Sequence, residues 1–130
     1  MFENQIEENI LDALLKSTTS LFKITNIISQ KNTLVLTDLL NINYEPIEII
    51  DIGLSQTAVA GFLIFLRIVP FSDFNISGGL GFAFNNEVEE YLIKEYKHLA
   101  KRVKSSSESL KRFVAFFKLY KRYGLEIDFY

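Results

Sequence analysis

His98 is the only histidine, and the chain has no cysteine. Zinc sites are built mainly from imidazole and thiolate, so a metal here would have to be held by carboxylates, and no metal or cofactor is expected. At about 100° per residue His98 falls on the polar side of a helix between Lys94 and Lys101. Those lysines disfavour an imidazolium, so His98 reads as a surface residue and not as a general acid.

Ser77-Gly78-Gly79-Leu80-Gly81-Phe82 could let backbone N–H groups approach an anion, but it lacks the Lys-Ser/Thr of a phosphate loop. Position 84 is Phe, so the Gly-x-Gly-x-x-Gly spacing fails too. The segment leads into Phe82-Ala83-Phe84, a strand pattern without the helix N-terminus that phosphate binding requires, and a tight turn or bulge is expected. Asp38, Glu45, Glu48, Asp51 and Asp73 lie in the strand region, with Glu48 and Asp51 on opposite faces of one strand, unsuited to paired acid–base work. Arg67 stands in an otherwise apolar run and needs a partner. Asp73 and Asp51 are the candidates, either in a structural ion pair or as part of a ligand clamp. No nucleophile is paired with a base, so no catalytic residue is assigned and an enzyme ranks third among the readings.

Binding is the chemistry the residues do offer. Residues 1–90 carry 4 Lys/Arg against 12 Asp/Glu, and residues 91–123 carry 10 against 2. A net charge of −2 therefore hides an acidic body joined to basic helices, a field that can steer a partner or dock onto its own opposite. Lys94, Lys97, Lys101, Arg102, Lys104, Lys111 and Lys118 would form a phosphate-binding patch if the partner is nucleic acid. With Lys111 at 0° on the last helix, Leu110, Phe113, Phe117 and Tyr120 cluster between about 180° and 260°, Phe116 and Tyr123 lie near 130°, and Leu119 near 80°. That arc is wider than one core contact needs. Either the fold covers both flanks, or Phe116, Leu119 and Tyr123 meet a protein partner or a second copy. On the second reading, Phe116→Asp leaves the chain folded but unable to form its complex.

The elements that must position these residues follow from periodicity. Ile6, Ile10, Leu11, Leu14 and Leu15 recur at helical spacing, with Glu3, Glu7, Glu8 and Asp12 favouring the early turns, and predict a helix over 1–17. Between 20 and 84 the period changes to apolar runs at 21–28, 34–40, 47–52, 59–69 and within 74–84, separated by Asn, Gly, Pro and Ser. Five short strands with short connections predict a meander that curls into a small barrel. Gln30-Lys31-Asn32 and Tyr44-Glu45-Pro46 are expected turns, and Gly53 and Gly61 mark bends or bulges. Asn86 with Glu89 resembles a capping box for a second helix, and Ser105-Ser106-Ser107-Glu108 restarts the chain as a third. Gly124 is its expected C′ residue, and 125–130 suit a last strand or a tail.

The segment from about 22 to 84 resembles a small β-barrel module of uncharacterised bacterial proteins, some of which also carry a SEC-C metal-binding motif. The likeness rests on Leu36-Thr37-Asp38-Leu39-Leu40, on Ser55, on Arg67-Ile68-Val69-Pro70 and on Ser77-Gly78-Gly79. It implies an SH3-like barrel. The cysteines of those relatives are absent here, so no metal function carries over.

At 130 residues and 48% apolar content, one domain with one core is expected. It is α+β, with an N-terminal helix, a five-stranded antiparallel barrel-like sheet and two basic amphipathic helices within 86–124. The acidic start does not read as a signal peptide, and the most apolar stretch, 53–66, is short of the roughly 20 residues that span a bilayer. It is expected to be buried strand. Membrane-surface binding is disfavoured because the apolar helix face is needed for the core. Absence of cysteine suits the cytoplasm. The favoured function is a non-catalytic protein-interaction or self-association module, with nucleic-acid binding as the alternative.

Overall fold

The computed structural model describes residues 2–41, 43–78 and 81–125, and the side chains from Asn4 onward. The chain is α+β, with helices at both ends of a closed, mixed barrel. Helix α1 (Phe2–Leu15) leads into strand β1 (Thr18–Ile28), and a 3-10 turn (Ser29–Lys31) connects it to β2 (Thr33–Asp38). Asn32 closes that turn at φ 54°, a left-handed conformation that Asn tolerates better than most residues. Strand β3 (Ile47–Ile50), helix α2 (Ile52–Thr57) and strands β4 (Leu63–Pro70), β5 (Asn75–Ser77) and β6 (Phe82–Phe84) follow. Helices α3 (Glu89–Arg102) and α4 (Glu108–Tyr123) and the two-residue strand β7 (Gly124–Leu125) end the described chain.

The barrel closes in the order β1-β2-β3-β5-β4, with β4 returning to pair with β1. The strands are not all antiparallel as expected, because β3 and β5 pair in parallel through Ile50 and Ile76. The last apolar run is two strands, not one: β5 and β6 divide the second edge of β4, opposite residues 68–70 and 63–65 respectively. β1 is kinked by a bulge between Ile24 and Asn26. A bulged strand bends and twists more strongly, which helps so small a barrel to close.

The stretch expected to be buried strand from residue 53 begins with α2, so the described residues form four α-helices. Asp51 caps α2 by accepting from the Leu54 N–H at 2.9 Å, and the hydroxyls of Ser55 and Thr57 donate back to Ile52 and Gly53 carbonyls. These short polar side chains satisfy helix-end groups that hydropathy alone does not register. Gly53 thus lies inside a helix, whereas Gly61 does make a turn, at φ +94°. Helix α3 is entered differently from expectation. Asn85, not Asn86, caps a 3-10 turn (Asn86–Val88) by accepting from the Glu87 N–H, and the α-helix starts at Glu89. α4 starts where the chain was expected to restart as a helix, but Ser107, not Ser105 of the expected capping box, caps it by accepting from the Leu110 N–H. Gly124 is extended, not left-handed; it is required because a Cβ there would collide with the ring and the carbonyl of Tyr120. The expected tail at 126–130 and Gly79-Leu80 of the glycine segment lie outside the described residues.

Alternation along β1 and β4 explains why the core has two layers. Phe22, Ile24, Ile64, Leu66 and Ile68 point into the barrel with Leu34, Leu36, Ile49 and Leu54. Their neighbours Leu21, Leu63 and Phe65 point outward and meet Phe82, Phe84, Leu92, Phe116 and Leu119. Because β4 is buried on both faces, its sequence is apolar throughout except at Arg67, where a half-exposed strand would alternate. Phe116 sits at the centre of the outer layer. Its ring stacks on Phe65 at 4.6 Å and on Tyr96 at 5.2 Å, and Phe84 meets it edge-on at 6.3 Å.

Phe116→Ala should therefore destabilise the chain by about 3–5 kcal/mol in urea unfolding, and Phe116→Asp should leave no cooperative transition at all. A folded Phe116→Asp protein would contradict this packing.

Candidate interaction surface

The side of α4 that faces the sheet is settled by Ala115, Phe116 and Leu119, all buried. This corrects the proposed partner-binding set. Phe116 and Leu119 are core, and Tyr123 is half-buried against α3, its ring edge-on to Tyr91 at 5.0 Å with the two hydroxyls 3.1 Å apart. That shared hydrogen bond holds the Tyr91 phenol above the usual tyrosine range. The helical wheel showed that the apolar arc was too wide, but not which flank the sheet would cover. The uncovered flank is Leu110, Phe113 and Phe117, spaced i, i+3, i+7 and each more than 40% exposed. Phe113 and Phe117 stack on one another at 6.3 Å and tilt against Phe82, and Lys121 places its ammonium 4.9 Å from the Phe117 ring centre.

A second uncovered face lies on α1. The helix forms as its spacing predicts, but among its described side chains only Ala13 is buried against the barrel. Ile6, Ile10, Leu11, Leu14 and Leu15 are all exposed, Leu15 to 77%. Arg67 fixes the helix in place. Its Nε donates to Ser17 Oγ at 2.7 Å and its Nη2 to the Leu14 carbonyl at 3.2 Å. Neither Asp73 nor Asp51 is its partner. Arg67 pairs with Thr19 in the β1–β4 ladder, which sets it beside the end of α1, where free carbonyls and the negative end of the helix dipole take a cation. Asp51 is engaged by Leu54 and by the Ser77 hydroxyl, and Asp73 is exposed in the β4–β5 turn.

Between these two helix ends lies a cleft of about 490 Å³, with Phe65 and Leu66 among its lining and Ser17, Thr19, Arg67, Leu110 and Phe113 around them. The Ser17 hydroxyl donates to the Leu14 carbonyl and accepts from Arg67. Arg112, which the charge reading passed over, turns inward from α4 and donates to the Thr19 carbonyl at 2.8 Å. The buried carboxylate of Asp38 is likewise consumed by the fold. It accepts from Ser20 Oγ at 2.6 Å, from the Leu40 and Asn41 N–H groups and from Asn41 Nδ2. His98 is exposed on α3. Among the described residues no three His, Asp or Glu side chains converge as metal ligands, and no helix is long and apolar enough to cross a membrane.

The cations are more exposed than Phe116, Leu119 and Tyr123. Lys94, Lys97, Lys101, Arg102, Lys104 and Lys118 are exposed, while Lys111 is half-buried and 3.6 Å from Glu108. The acidic body does not neutralise them through ion pairs among the described residues. The pair that joins barrel to helices runs in the opposite sense, from Lys23 on β1 to Glu89 on α3 at 3.0 Å.

Replacing Arg67 by Met should loosen α1 selectively. Amide hydrogen exchange of α1 is expected to quicken while the barrel strands keep their protection, the loss corresponding to about 1–2 kcal/mol of local stability. Equal loss of protection throughout would show instead that Arg67 supports the whole fold.

No curated protein and no solved structure matches the chain. A family match spans residues 1–130, and on that match the chain belongs to a family of unknown function, DUF7986.

Proposed function

We propose that the protein is a non-catalytic interaction module acting in the cytoplasm, its SH3-like barrel serving as the platform on which α1 and α4 are presented. The observation that supports this is the pair of uncovered apolar helix faces. Monomeric proteins expose isolated apolar side chains freely, but contiguous apolar stripes mark surfaces that meet something. Leu110, Phe113 and Phe117 have the spacing and aromatic content of helix anchors that fill a partner's groove. The polar groups nearest them, Arg67, Ser17 and Arg112, are tied to the chain's own backbone and side chains, which suits a rigid platform better than a reacting centre.

Combining Phe113→Glu with Phe117→Glu should leave the fold intact by circular dichroism, since neither ring is buried, and should abolish capture of whatever protein the wild type retains. Ile6→Glu with Leu11→Glu serves the same purpose on α1, farther from the core. Retained capture in both variants would refute the assignment of these faces.

Nucleic-acid binding is kept as a second reading because of one observation. Eight cations on α3, α4 and their connection are exposed, and none forms an ion pair with a described residue. On this reading, affinity for a mixed-sequence oligonucleotide measured by fluorescence anisotropy falls steeply with salt, and falls for every sequence when Lys97, Lys101 and Lys104 become Glu. Affinity that is flat from low to physiological salt would exclude it.

A further inference from the structure

Resting on the interaction-module reading, we infer that the occupant of these faces is a second copy of the same chain, with α1 of each copy lying along Leu110, Phe113 and Phe117 of α4 in its partner. The two faces match in length, charge and chemistry. α1 has 14 residues and α4 has 16, so the helices are about 21 and 24 Å long and can lie side by side over most of their length. α1 carries Glu3, Glu7, Glu8 and Asp12 with no basic residue, whereas α4 carries Lys111, Arg112, Lys118, Lys121 and Arg122 against Glu108 alone.

These charges are largely uncommitted within one copy. Among the described side chains of α1 only Asp12 is paired, with Lys16 at 2.9 Å, and Glu7 and Glu8 form no ion pair with a described residue. On α4 the same holds for Lys118, Lys121 and Arg122. At helical spacing Glu7 lies within the exposed apolar arc of α1 and Glu8 at its edge, while Lys121 borders the Leu110 and Phe117 stripe of α4. Apolar contact between the stripes therefore brings carboxylates toward ammonium groups.

The faces cannot satisfy each other inside one chain, where α1 is fastened to β4 by Arg67 and the cleft of about 490 Å³ separates its end from Leu110 and Phe113. A reciprocal pair uses both faces twice and leaves neither open, as a closed two-fold dimer must. Eight apolar side chains per copy, none now buried, would be covered. The area is on the order of 1,200 Å², the lower end of what stable interfaces bury.

A charge-exchange experiment on the full chain tests this by sedimentation velocity across micromolar concentrations. The wild type is expected to show a mass of two copies. Chain X carries Glu7→Lys and Glu8→Lys; chain Y carries Lys118→Glu and Lys121→Glu. Each alone should self-associate about tenfold more weakly or worse, because like charges then face each other at both contacts. An equimolar mixture of X and Y should recover the dimer, since both of its contacts are again complementary. Circular dichroism establishes that X and Y are folded. A wild type that stays monomeric, or X and Y homodimers as tight as the wild type, would overturn the inference. If the monomeric wild type still captures a protein through Phe113 and Phe117, the interaction reading stands and only the second copy is rejected. If that capture is also insensitive to both faces, the two fall together.

Discussion

The stacking of Phe116 between Phe65 and Tyr96 joins the barrel to its helices, and much of the molecule is arranged around it. Phe65 belongs to β4, which is also the strand that closes the barrel, so one side-chain position on a helix bears on the strand that completes the sheet. β4 can serve both layers because every second residue faces the barrel interior and the others face the helices. Once Phe116 is placed, the rotation of α4 about its axis is set. Leu119 must follow it into the core, and Phe113 and Phe117 must be left at the rim. The uncovered stripe is thus a geometric consequence of a buried one.

Charged groups near the barrel are used as fasteners. Arg67 ties α1 to β4, Arg112 ties α4 to the start of β1, and Asp38 gathers four donors where β2 ends. In each case the partners include backbone groups that secondary structure leaves unsatisfied, at a helix end, a strand start or a turn. Burying a charge is costly unless it is hydrogen-bonded; Asp38 meets that condition without an ion pair, whereas Arg112 keeps a buried Nε without a hydrogen-bond partner. Cations that face water are concentrated instead on α3 and the far side of α4, which is how an acidic body and basic helices coexist in one chain with so few bridges between them.

Several elements were legible in the sequence because their signals are local. The α1 stripe, the helix restart after the serine run at 105–107 and the turn at 30–32 all rest on residues within four positions of one another. The features that escaped depend on distant partners. A helix at 52–57 is indistinguishable from strand in an apolar run until the Asp51 cap is seen. The parallel β3–β5 contact is a single residue pair with no compositional mark. The partner of Arg67 was sought among carboxylates, although the carbonyl end of a helix is an equally good counter-charge and has no letter in the sequence. The burial of Phe116 and Leu119 escaped for a related reason. A wheel gives the width of an apolar arc, but the sheet decides which part of it is covered.

Pairing of β1 with β4 joins positions 40 to 50 residues apart, through Lys23 with Leu63 at one end and Thr18 with Ile68 at the other. Local contacts such as the β1–β2 hairpin can form early in synthesis, whereas this closure must wait until β4 has emerged and must meet the entropy of a long loop. Until then the free edge of β1 and the inward-facing Phe22 and Ile24 have no cover, and α1 lacks the arginine that fastens it. The interval between making residue 28 and making residue 70 is therefore the stretch of the protein's life in which it is most open to mispairing with other nascent chains.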